Sequence, residues 1–313
     1  MQRFGHPTER SGSLADGKRD LKMQKSVRLK SFELFPQNID SVEVSLLHAL
    51  SISVGWPHRP EDWEFLRRAG QGVVAVDGIG RVFGSAMWFP HGSDFATIGL
   101  VITSPRTQAQ GNGRWLMEQV FAQCGDRDLS LNATRAAYGL YHSLSFTKEG
   151  LVHMYQGEVS SVPAALPPLD GQLDDLAPGT LEEISALDAA AFGIDRTRLL
   201  GLLAERASIR VLRRGGEVVC YSMCRKFGRG HVIGPVIASS DNDAIHLAAV
   251  HIEAYGGRFM RVDTRSEGPF ADFLRRSGLS VSETVTTMSK GRRLLNQKPG
   301  EPIVFGLAGH ALG

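Results

Sequence analysis

One stretch decides the fold of this 313-residue chain: Ile98 to Arg114, I-G-L-V-I-T-S-P-R-T-Q-A-Q-G-N-G-R. Its first residues form a short apolar run, typical of a strand that is covered on both faces. Pro105 cannot donate a ladder hydrogen bond, so the strand ends at or before it. Gly111 and Gly113 then let the backbone approach a ligand closely, and a helical pattern begins at Trp115. Free backbone N–H groups at a helix N-terminus bind anions, so the stretch predicts a phosphate-binding turn.

A second informative segment runs from Leu131 to Phe146. It has the pattern of a strand end, a short helix and an aromatic turn. The helix carries apolar and aromatic residues at helical spacing, namely Ala137, Leu140, Tyr141 and Leu144. A glycine turn before a helix is weak evidence alone, and this segment strengthens it.

Together the two segments resemble the GNAT superfamily of acyl-CoA-dependent N-acyltransferases. The first is similar to the family's R/Q-x-x-G-x-G/A pyrophosphate loop, with Gln108 in the leading position. The second is similar to its N-x-x-A-x-x-L-Y-x-x-x-G-F element. Two residues depart from that element: Thr134 stands where the family often has Asn, and Ser145 stands where it has Gly before Phe146.

The resemblance implies an N-acetyltransferase that uses acetyl-CoA as its donor and a small-molecule primary amine as its acceptor. Tyr141 stands at the family's general-acid position, with Tyr138 one helical turn away as the alternative. Acyl-CoA decarboxylation, or a non-catalytic acyl-CoA sensor or scaffold, is an alternative on the same fold. The implied cofactor-binding residues are Val101, Ile102 and Thr103 for pantetheine, Gln108, Ala109, Gln110, Gly111, Asn112, Gly113 and Arg114 for pyrophosphate, and Thr134.

The loop from Gly55 to Trp63 is the candidate wall of the acceptor site. In acetyltransferases of this kind the region between the first two helices lines the acceptor pocket, so Trp56, His58 and Arg59 are candidate substrate residues. The alternative is that the tryptophans only pack. His58 is also the first candidate for the base that deprotonates the amine, because its ordinary pKa lies near neutrality. Asp94 or a water chain would serve as well.

The chain divides into two domains. Residues 1–24 are a basic tail predicted to be disordered, residues 25–160 the first GNAT domain, 161–178 a proline-rich linker, and 179–313 a second, degenerate GNAT-like domain. Translation could begin at Met1 or Met23. The predicted fold class is α/β (α+β), with a mixed, mostly antiparallel central sheet flanked by helices in each domain. A bacterial subfamily with this tandem arrangement has a similar W-P-H-R…D-W run.

The second domain repeats the element order without the binding residues. The segment from Ser239 to Ala244 has no glycine, and Asp241 and Asp243 would repel a diphosphate, so standard CoA binding is not expected there. Two roles are open. The domain closes the acceptor site, with Arg225 or Arg265 gripping a substrate carboxylate, or it is structural and builds a core or a homodimer.

Composition excludes several classes of protein. The net charge of +2, with 42% hydrophobic and 22% charged residues, is that of a soluble globular protein and gives no reason to expect a nucleic-acid or membrane partner. The three cysteines, Cys124, Cys220 and Cys224, form neither a disulfide framework nor a zinc set, so no metal is expected and a reducing cytoplasmic setting fits.

Overall fold

The computed structural model describes residues 26–29, 33–294 and 301–313. The basic tail predicted for residues 1–24, and the choice between Met1 and Met23, lie outside this part of the chain. The described helices are α1 (Val44–Ser53), α2 (Pro60–Ala69), α3 (Asn112–Cys124), α4 (Tyr138–Ser143), α5 (Glu182–Phe192), α6 (Thr197–Ala204), α7 (Asp241–Ala254) and α8 (Pro269–Arg276). The described strands are β1 (Val27–Arg28), β2 (Glu33–Asn38), β3 (Gln71–Val76), β4 (Val82–His91), β5 (Phe95–Thr103), β6 (Asp128–Ala133), β7 (Thr147–Glu158), β8 (Gln172–Asp175), β9 (Ala207–Arg214), β10 (Glu217–Phe227), β11 (Gly230–Ala238), β12 (Phe259–Thr264), β13 (Ser280–Lys290) and β14 (Ile303–Gly306).

Local sequence explains where the helices near the predicted binding loops begin. Pro60 occupies the first turn of α2, where its missing N–H is not needed. The Asp62 carboxylate accepts from the backbone N–H of Arg59, the residue just before that helix, at 2.9 Å. Gly111 precedes α3 with φ +95°, a backbone conformation that favours glycine. Both helix starts therefore follow from residues visible in the sequence.

The strands form one continuous sheet across both halves of the chain. Their order is β1-β2-β3-β4-β5-β6-β13-β7-β12-β11-β10-β9-β8, with β14 attached to β11. Most neighbours are antiparallel, and β5–β6 and β11–β12 are parallel. The predicted mixed, mostly antiparallel α/β architecture with flanking helices is confirmed.

Each half contributes one long strand to the sheet of the other half: β7 from the first and β13 from the second. Strand β13 from the second half pairs with β6 and β7 of the first half, and β7 pairs in turn with β12 of the second half. With these strands counted, the two halves have matching strand orders, β2-β3-β4-β5-β6-β13 in the first and β8-β9-β10-β11-β12-β7 in the second. Strand β13 is absent from the sequence prediction, and it completes the sheet beside the candidate site.

The proline-rich segment predicted as a linker, 161–178, contains a strand. Residues Gln172 to Asp175 pair antiparallel with β9 and form the edge of the sheet. The ladder lies between Pro168 and Pro178 and includes neither of them, because proline cannot donate to it. The prolines of this segment therefore flank the strand and do not exclude one.

Strand β14 and the residues after it connect the halves a second time. This strand pairs with Val236, Ile237 and Ala238 of β11. The chain then crosses to the first half, where Ala311 accepts a 2.9 Å hydrogen bond from the Thr97 hydroxyl. A Cβ on Gly99 would lie 2.3 Å from the Ala311 Cβ, so only glycine at position 99 allows this approach. We call residues 307–313 the terminal segment.

A buried ion pair anchors the terminal segment. Arg196 donates to Asp188 through Nε at 2.9 Å and Nη2 at 3.0 Å, and to the Leu312 carbonyl at 3.4 Å. Its guanidinium lies 3.5 Å from the centre of the Phe192 ring. The Tyr221 hydroxyl also donates to Asp188. Both charged side chains are fully buried, so each depends on the other to offset the cost of leaving water.

We expect Arg196→Ala to lower the free energy of unfolding by about 3–5 kcal/mol, because it leaves the Asp188 carboxylate buried without its cation. Urea denaturation followed by circular dichroism measures the change. The matched control is Arg68→Ala, which removes an ion pair to Glu205 in which both side chains are about half exposed and changes stability by at most about 1 kcal/mol. Equal effects of the two substitutions would contradict the role given to Arg196.

Candidate active site

The candidate site lies where two central strands separate. Strands β5 and β6 pair in parallel only from Phe95 to Ile98, opposite Asp128 to Leu131. Beyond that point the register with β4 shifts, and Leu100 adopts φ +51°. A non-glycine residue with positive φ is uncommon and frequently marks a functional site. The separation opens two adjoining pockets, one on the side of α3 and one between the two halves.

The first pocket, which we call the cradle, contains most of the predicted cofactor residues. Its walls come from the end of β5, the loop that follows, the start of α3, and α4. A Cβ built on Gly111 meets nothing within 4 Å, so the backbone there is open to a ligand. The first turn of α3 carries no acidic residue that would repel a phosphate. Of the predicted cofactor residues, those lining the cradle are Val101, Ile102, Thr103, Gln108, Ala109, Gly111, Gly113, Arg114 and Thr134.

Two predicted cofactor residues do not line the cradle. Gln110 donates to the Arg106 carbonyl at 3.1 Å. The Asn112 side chain is buried and donates to the Phe83 carbonyl and the Thr107 hydroxyl, at 3.2 and 3.1 Å. These contacts turn both side chains away from the cradle. The two side chains therefore have structural contacts, and the glycine pattern did not distinguish them from the residues that line the cradle.

Tyr141 lies in the wall of the cradle. It is buried, and its ring packs edge-on against Phe146 with centroids 6.1 Å apart. Burial raises the pKa of the Tyr141 phenol above its ordinary value, so the hydroxyl keeps its proton at neutral pH. The alternative, Tyr138, stacks on His142 with centroids 6.2 Å apart and lies outside the cradle walls.

The turn before Phe146 is kept although Ser145 stands where the family has glycine. Ser145 adopts φ +68°, the left-handed conformation that glycine takes more easily. A non-glycine residue in such a conformation costs on the order of 1 kcal/mol. The Arg114 guanidinium also donates to the Ser143 hydroxyl at 2.7 Å, which joins the cradle to α4. The tyrosine helix therefore stays in place although the family glycine is missing.

The second pocket, which we call the interdomain cavity, has a volume of about 260 Å³ and walls from both halves. Trp56 and Thr134 line both the cavity and the cradle, so the two pockets adjoin. The first half contributes the loop around His58 and the separated part of β5. The second half and the terminal segment contribute polar and charged residues, which are Arg225, Arg229, Arg261, Glu283 and His310.

His58 is partly buried in an aromatic cluster at the edge of the interdomain cavity. Its ring lies 5.8 Å from Trp56, 5.9 Å from Trp63 and 5.4 Å from Phe227, measured between centroids. Its Nδ1 is buried without a hydrogen-bond partner. Burial lowers the pKa of His58 to about 4, so the imidazole is neutral at pH 7 and able to accept a proton.

The other predicted substrate and base residues lie elsewhere. Arg59 is paired with Asp62 at 2.8 Å and does not line the interdomain cavity. Asp94, the alternative base, pairs with Arg292 at 3.2 Å at the opposite end of β5. Arg265 is outside the walls of both pockets. Of the residues named from the sequence, the cavity therefore brings together Trp56, His58, Thr134 and Arg225.

Sequence reasoning missed a histidine–aspartate pair at this cavity. His310 of the terminal segment has Nε2 3.4 Å from Oδ1 of Asp263, an ion-pair distance at which the atoms are not aligned for a hydrogen bond. Asp263 is fully buried and receives two hydrogen bonds from Arg261, at 2.8 and 2.7 Å. Burial lowers the pKa of His310 to about 4, although the Asp263 carboxylate opposes the shift. No local motif marks this pair, since Asp263 lies in β12 and His310 in the terminal segment.

Family models match both halves of the chain. The model described as the acetyltransferase (GNAT) family matches residues 44–146, and the one described as an acetyltransferase (GNAT) domain matches residues 184–301. The chain therefore belongs to the GNAT acetyltransferases and carries two GNAT domains in tandem. The resemblance found in the sequence is confirmed.

Individual relatives support this placement. The uncharacterized N-acetyltransferase YitH of Bacillus subtilis (strain 168) is 27% identical over 228 residues, which are 72% of this chain and 79% of YitH. A Pyrococcus horikoshii protein assigned to the acetyltransferases has a similar structure, with a TM-score of 0.72 at 18% identity, covering 90% of this chain and 96% of that one. The tandem GNAT protein from the clavulanic acid biosynthesis pathway gives a TM-score of 0.58 at 14% identity, covering 82% and 98%.

The described residues contain neither a candidate metal cluster nor a candidate membrane-spanning helix. In residues 26–29, 33–294 and 301–313, no three His, Cys, Asp or Glu side chains lie close enough together to hold a metal ion. No helix within the same residues is both long and apolar enough to span a membrane. The three cysteines are buried and unpaired.

We expect Gly111→Asp to weaken acetyl-CoA binding by roughly tenfold or more, because it places a carboxylate where the pyrophosphate is expected. Calorimetric titration of the purified chain with acetyl-CoA measures the dissociation constant. Gly111→Asn is the matched control, since asparagine tolerates positive φ and has nearly the same shape without the charge. If both variants lose affinity equally, backbone strain explains the effect and the charge argument fails.

Proposed function

We propose that this chain transfers the acetyl group of acetyl-CoA to the primary amine of a small molecule by direct attack, with no acetylated enzyme intermediate. The observation that carries the proposal is the junction of the cradle with the interdomain cavity at Trp56 and Thr134. A thioester held in the cradle and an amine held in the cavity would meet there. Placing two reactants together in this way supplies much of the acceleration of a bimolecular reaction.

The proposed reaction assigns a role to each pocket. The amine nitrogen attacks the thioester carbonyl, a C–N bond forms, and the C–S bond breaks. The leaving thiolate takes the proton of the Tyr141 hydroxyl, since a phenol is protonated at neutral pH. The cradle holds the pyrophosphate through backbone N–H groups at the start of α3, and the edge of β5 at Val101 to Thr103 pairs with pantetheine.

The attacking amine must lose a proton, and two residues are suited to take it. His58 is the candidate from the sequence, and its Nδ1 has no competing partner. His310 is the second candidate because Asp263, 3.4 Å away, would stabilise its protonated form. The guanidinium groups of the cavity would lower the pKa of a bound amine, which makes proton transfer to a weakly basic imidazole easier.

We also propose acetyl-CoA as the donor and the cytoplasm as the location of the protein. The first proposal is supported by the open glycine backbone at the cradle and by the general use of acetyl-CoA in this family. The second is supported by three unpaired cysteines, which suit a reducing compartment. The second GNAT domain is proposed to close the acceptor site, since Arg225, Arg229 and Glu283 lie in the cavity wall.

We expect Tyr141→Phe to lower kcat by about 10²-fold, the usual size of a general-acid contribution, with the acetyl-CoA dissociation constant nearly unchanged. Steady-state kinetics of CoA release and a parallel titration measure the two quantities. Tyr138→Phe, one helical turn away, is the control and should leave both unchanged. An unaltered kcat in Tyr141→Phe would remove the tyrosine from the mechanism, and acetyl-CoA binding without turnover of any amine would favour a sensor.

The pH dependence of kcat/KM separates the two candidate bases. With a histidine neutral above about pH 4, wild-type kcat/KM stays level from about pH 5 up to the pKa of the amine. A variant without the base reacts only with amine that is already neutral, so its kcat/KM rises tenfold per pH unit over that range. We expect this slope in one of the two variants, His58→Asn or His310→Asn, and the variant that shows it identifies the base. Level profiles in both variants would exclude both residues and leave a water chain.

A further inference from the structure

The interdomain cavity contains a buried cation that no carboxylate neutralises directly. Arg225 is 5% exposed, and its Nε is buried without a hydrogen-bond partner. Its Nη2 donates to the Ala308 carbonyl at 2.6 Å. A buried guanidinium without an anion is costly, and such groups are normally paired. Arg225 is therefore a buried cation whose anionic partner is expected to be a ligand.

The nearest carboxylates belong to other arginines. Asp62 receives two hydrogen bonds from the Arg59 guanidinium, at 3.1 and 2.8 Å. Asp263 is held at both oxygens by Arg261. Within the part of the chain that the structure describes, no ion pair joins Arg225 to Asp or Glu. Burial lowers the pKa of Arg225 to about 10, which still leaves it charged at neutral pH.

Aromatic rings hold the Arg225 guanidinium in position. Its central carbon lies 5.4 Å from the Phe65 ring centre and 5.0 Å from that of Phe227. Rings at this distance stabilise the cation through their π faces but do not use its N–H groups. The edge of the guanidinium therefore keeps donors for an incoming group, in an orientation fixed by packing.

The remaining charges of the cavity wall are also positive on balance. Arg261 is neutralised by Asp263, which leaves Arg225 and Arg229 against Glu283. Burial raises the pKa of Glu283 above its ordinary value, and one carboxylate still stands against two guanidinium groups. The histidines at the cavity, His58 and His310, are neutral at pH 7 because burial lowers the pKa of each to about 4. A neutral or purely cationic acceptor would leave this positive charge uncompensated.

We propose that the acceptor is a small aminocarboxylate whose carboxylate is bound by Arg225, which rests on the acetyltransferase activity proposed above. A planar guanidinium and a carboxylate match in shape and form two parallel hydrogen bonds. The junction with the cradle lies at Trp56 and Thr134 of the first domain, and Arg225 belongs to the second domain. The amine and the carboxylate would thus be held by residues of different domains. A volume of about 260 Å³ limits the acceptor to a small molecule.

The test compares each common L-amino acid with its own α-carboxamide, using the full-length chain, acetyl-CoA and a thiol-release assay. Each pair has the same amine and side chain and differs at the carboxylate. For the accepted side chains we expect kcat/KM to be roughly tenfold or more higher for the acid than for the amide. Equal values, or a preference for the amides, would overturn the assignment. If no acid or amide in the panel releases CoA, the aminocarboxylate assignment is overturned, and the transferase activity itself is tested separately with primary amines that are not amino acids.

Variants of Arg225 locate the effect. We expect Arg225→Gln to bring the acid-to-amide ratio close to one while the amides are still acetylated, and Arg225→Lys to keep part of the preference. Because Arg225 also holds Ala308, a general loss of activity would be structural, and the ratio is the deciding quantity. Should the variants not fold, calorimetric titration of the wild-type chain with N-acetyl-amino acids and their amides decides the point. Tighter binding of the acids supports the proposal, and equal binding overturns it.

Discussion

The antiparallel pairing of β7 with β13 is the interaction on which the rest of the structure depends. It joins the two GNAT domains into one sheet, and each strand also completes the sheet of the other domain. Each strand also has a second neighbour along part of its length: β13 pairs with β6 from Thr286 to Lys290, and β7 pairs with β12 from His153 to Glu158. Because the sheet is continuous, the walls of the interdomain cavity are placed relative to each other by backbone hydrogen bonds. A site built from two domains needs such rigidity.

The second domain keeps the GNAT architecture, and strand β14 pairs with the edge of β11. Strand β14 pairs with Val236 to Ala238, the last three positions of the nine-residue strand β11. In the nine-residue strand β5 of the first domain, the last three positions are Val101 to Thr103, where pantetheine is expected. The absence of a glycine loop and the presence of β14 both argue against CoA binding there. From β14 the chain continues directly into the first domain and delivers His310 to the cavity.

Several buried charged side chains contact the terminal segment, where the chain passes from β14 to the first domain. The Asp188–Arg196 pair and the Arg261–Asp263 pair are each closed, with every carboxylate bonded to its arginine. Arg225 is different, since its contacts are two aromatic rings and one carbonyl. The paired arginines hold the fold together, whereas the unpaired one is available to a ligand. The contrast comes from the arrangement in space, since all three arginines belong to the second domain.

The sequence by itself determined the fold family, the cradle loop, the tyrosine and the aromatic wall at Trp56 and His58, because each depends on residues close together in the chain. Glycine at positive φ, proline at a helix start and apolar periodicity act locally. Strand β13 is rich in β-branched residues, but its pairing with β6 and β7 cannot be read from the sequence, since pairing over such separations is decided by packing. Only the tertiary structure decided that His310, Glu283 and the unpaired Arg225 share one cavity, with Asp263 buried beside His310. Their chemistry comes from burial and from neighbours that lie far away in the chain, and no local pattern encodes either.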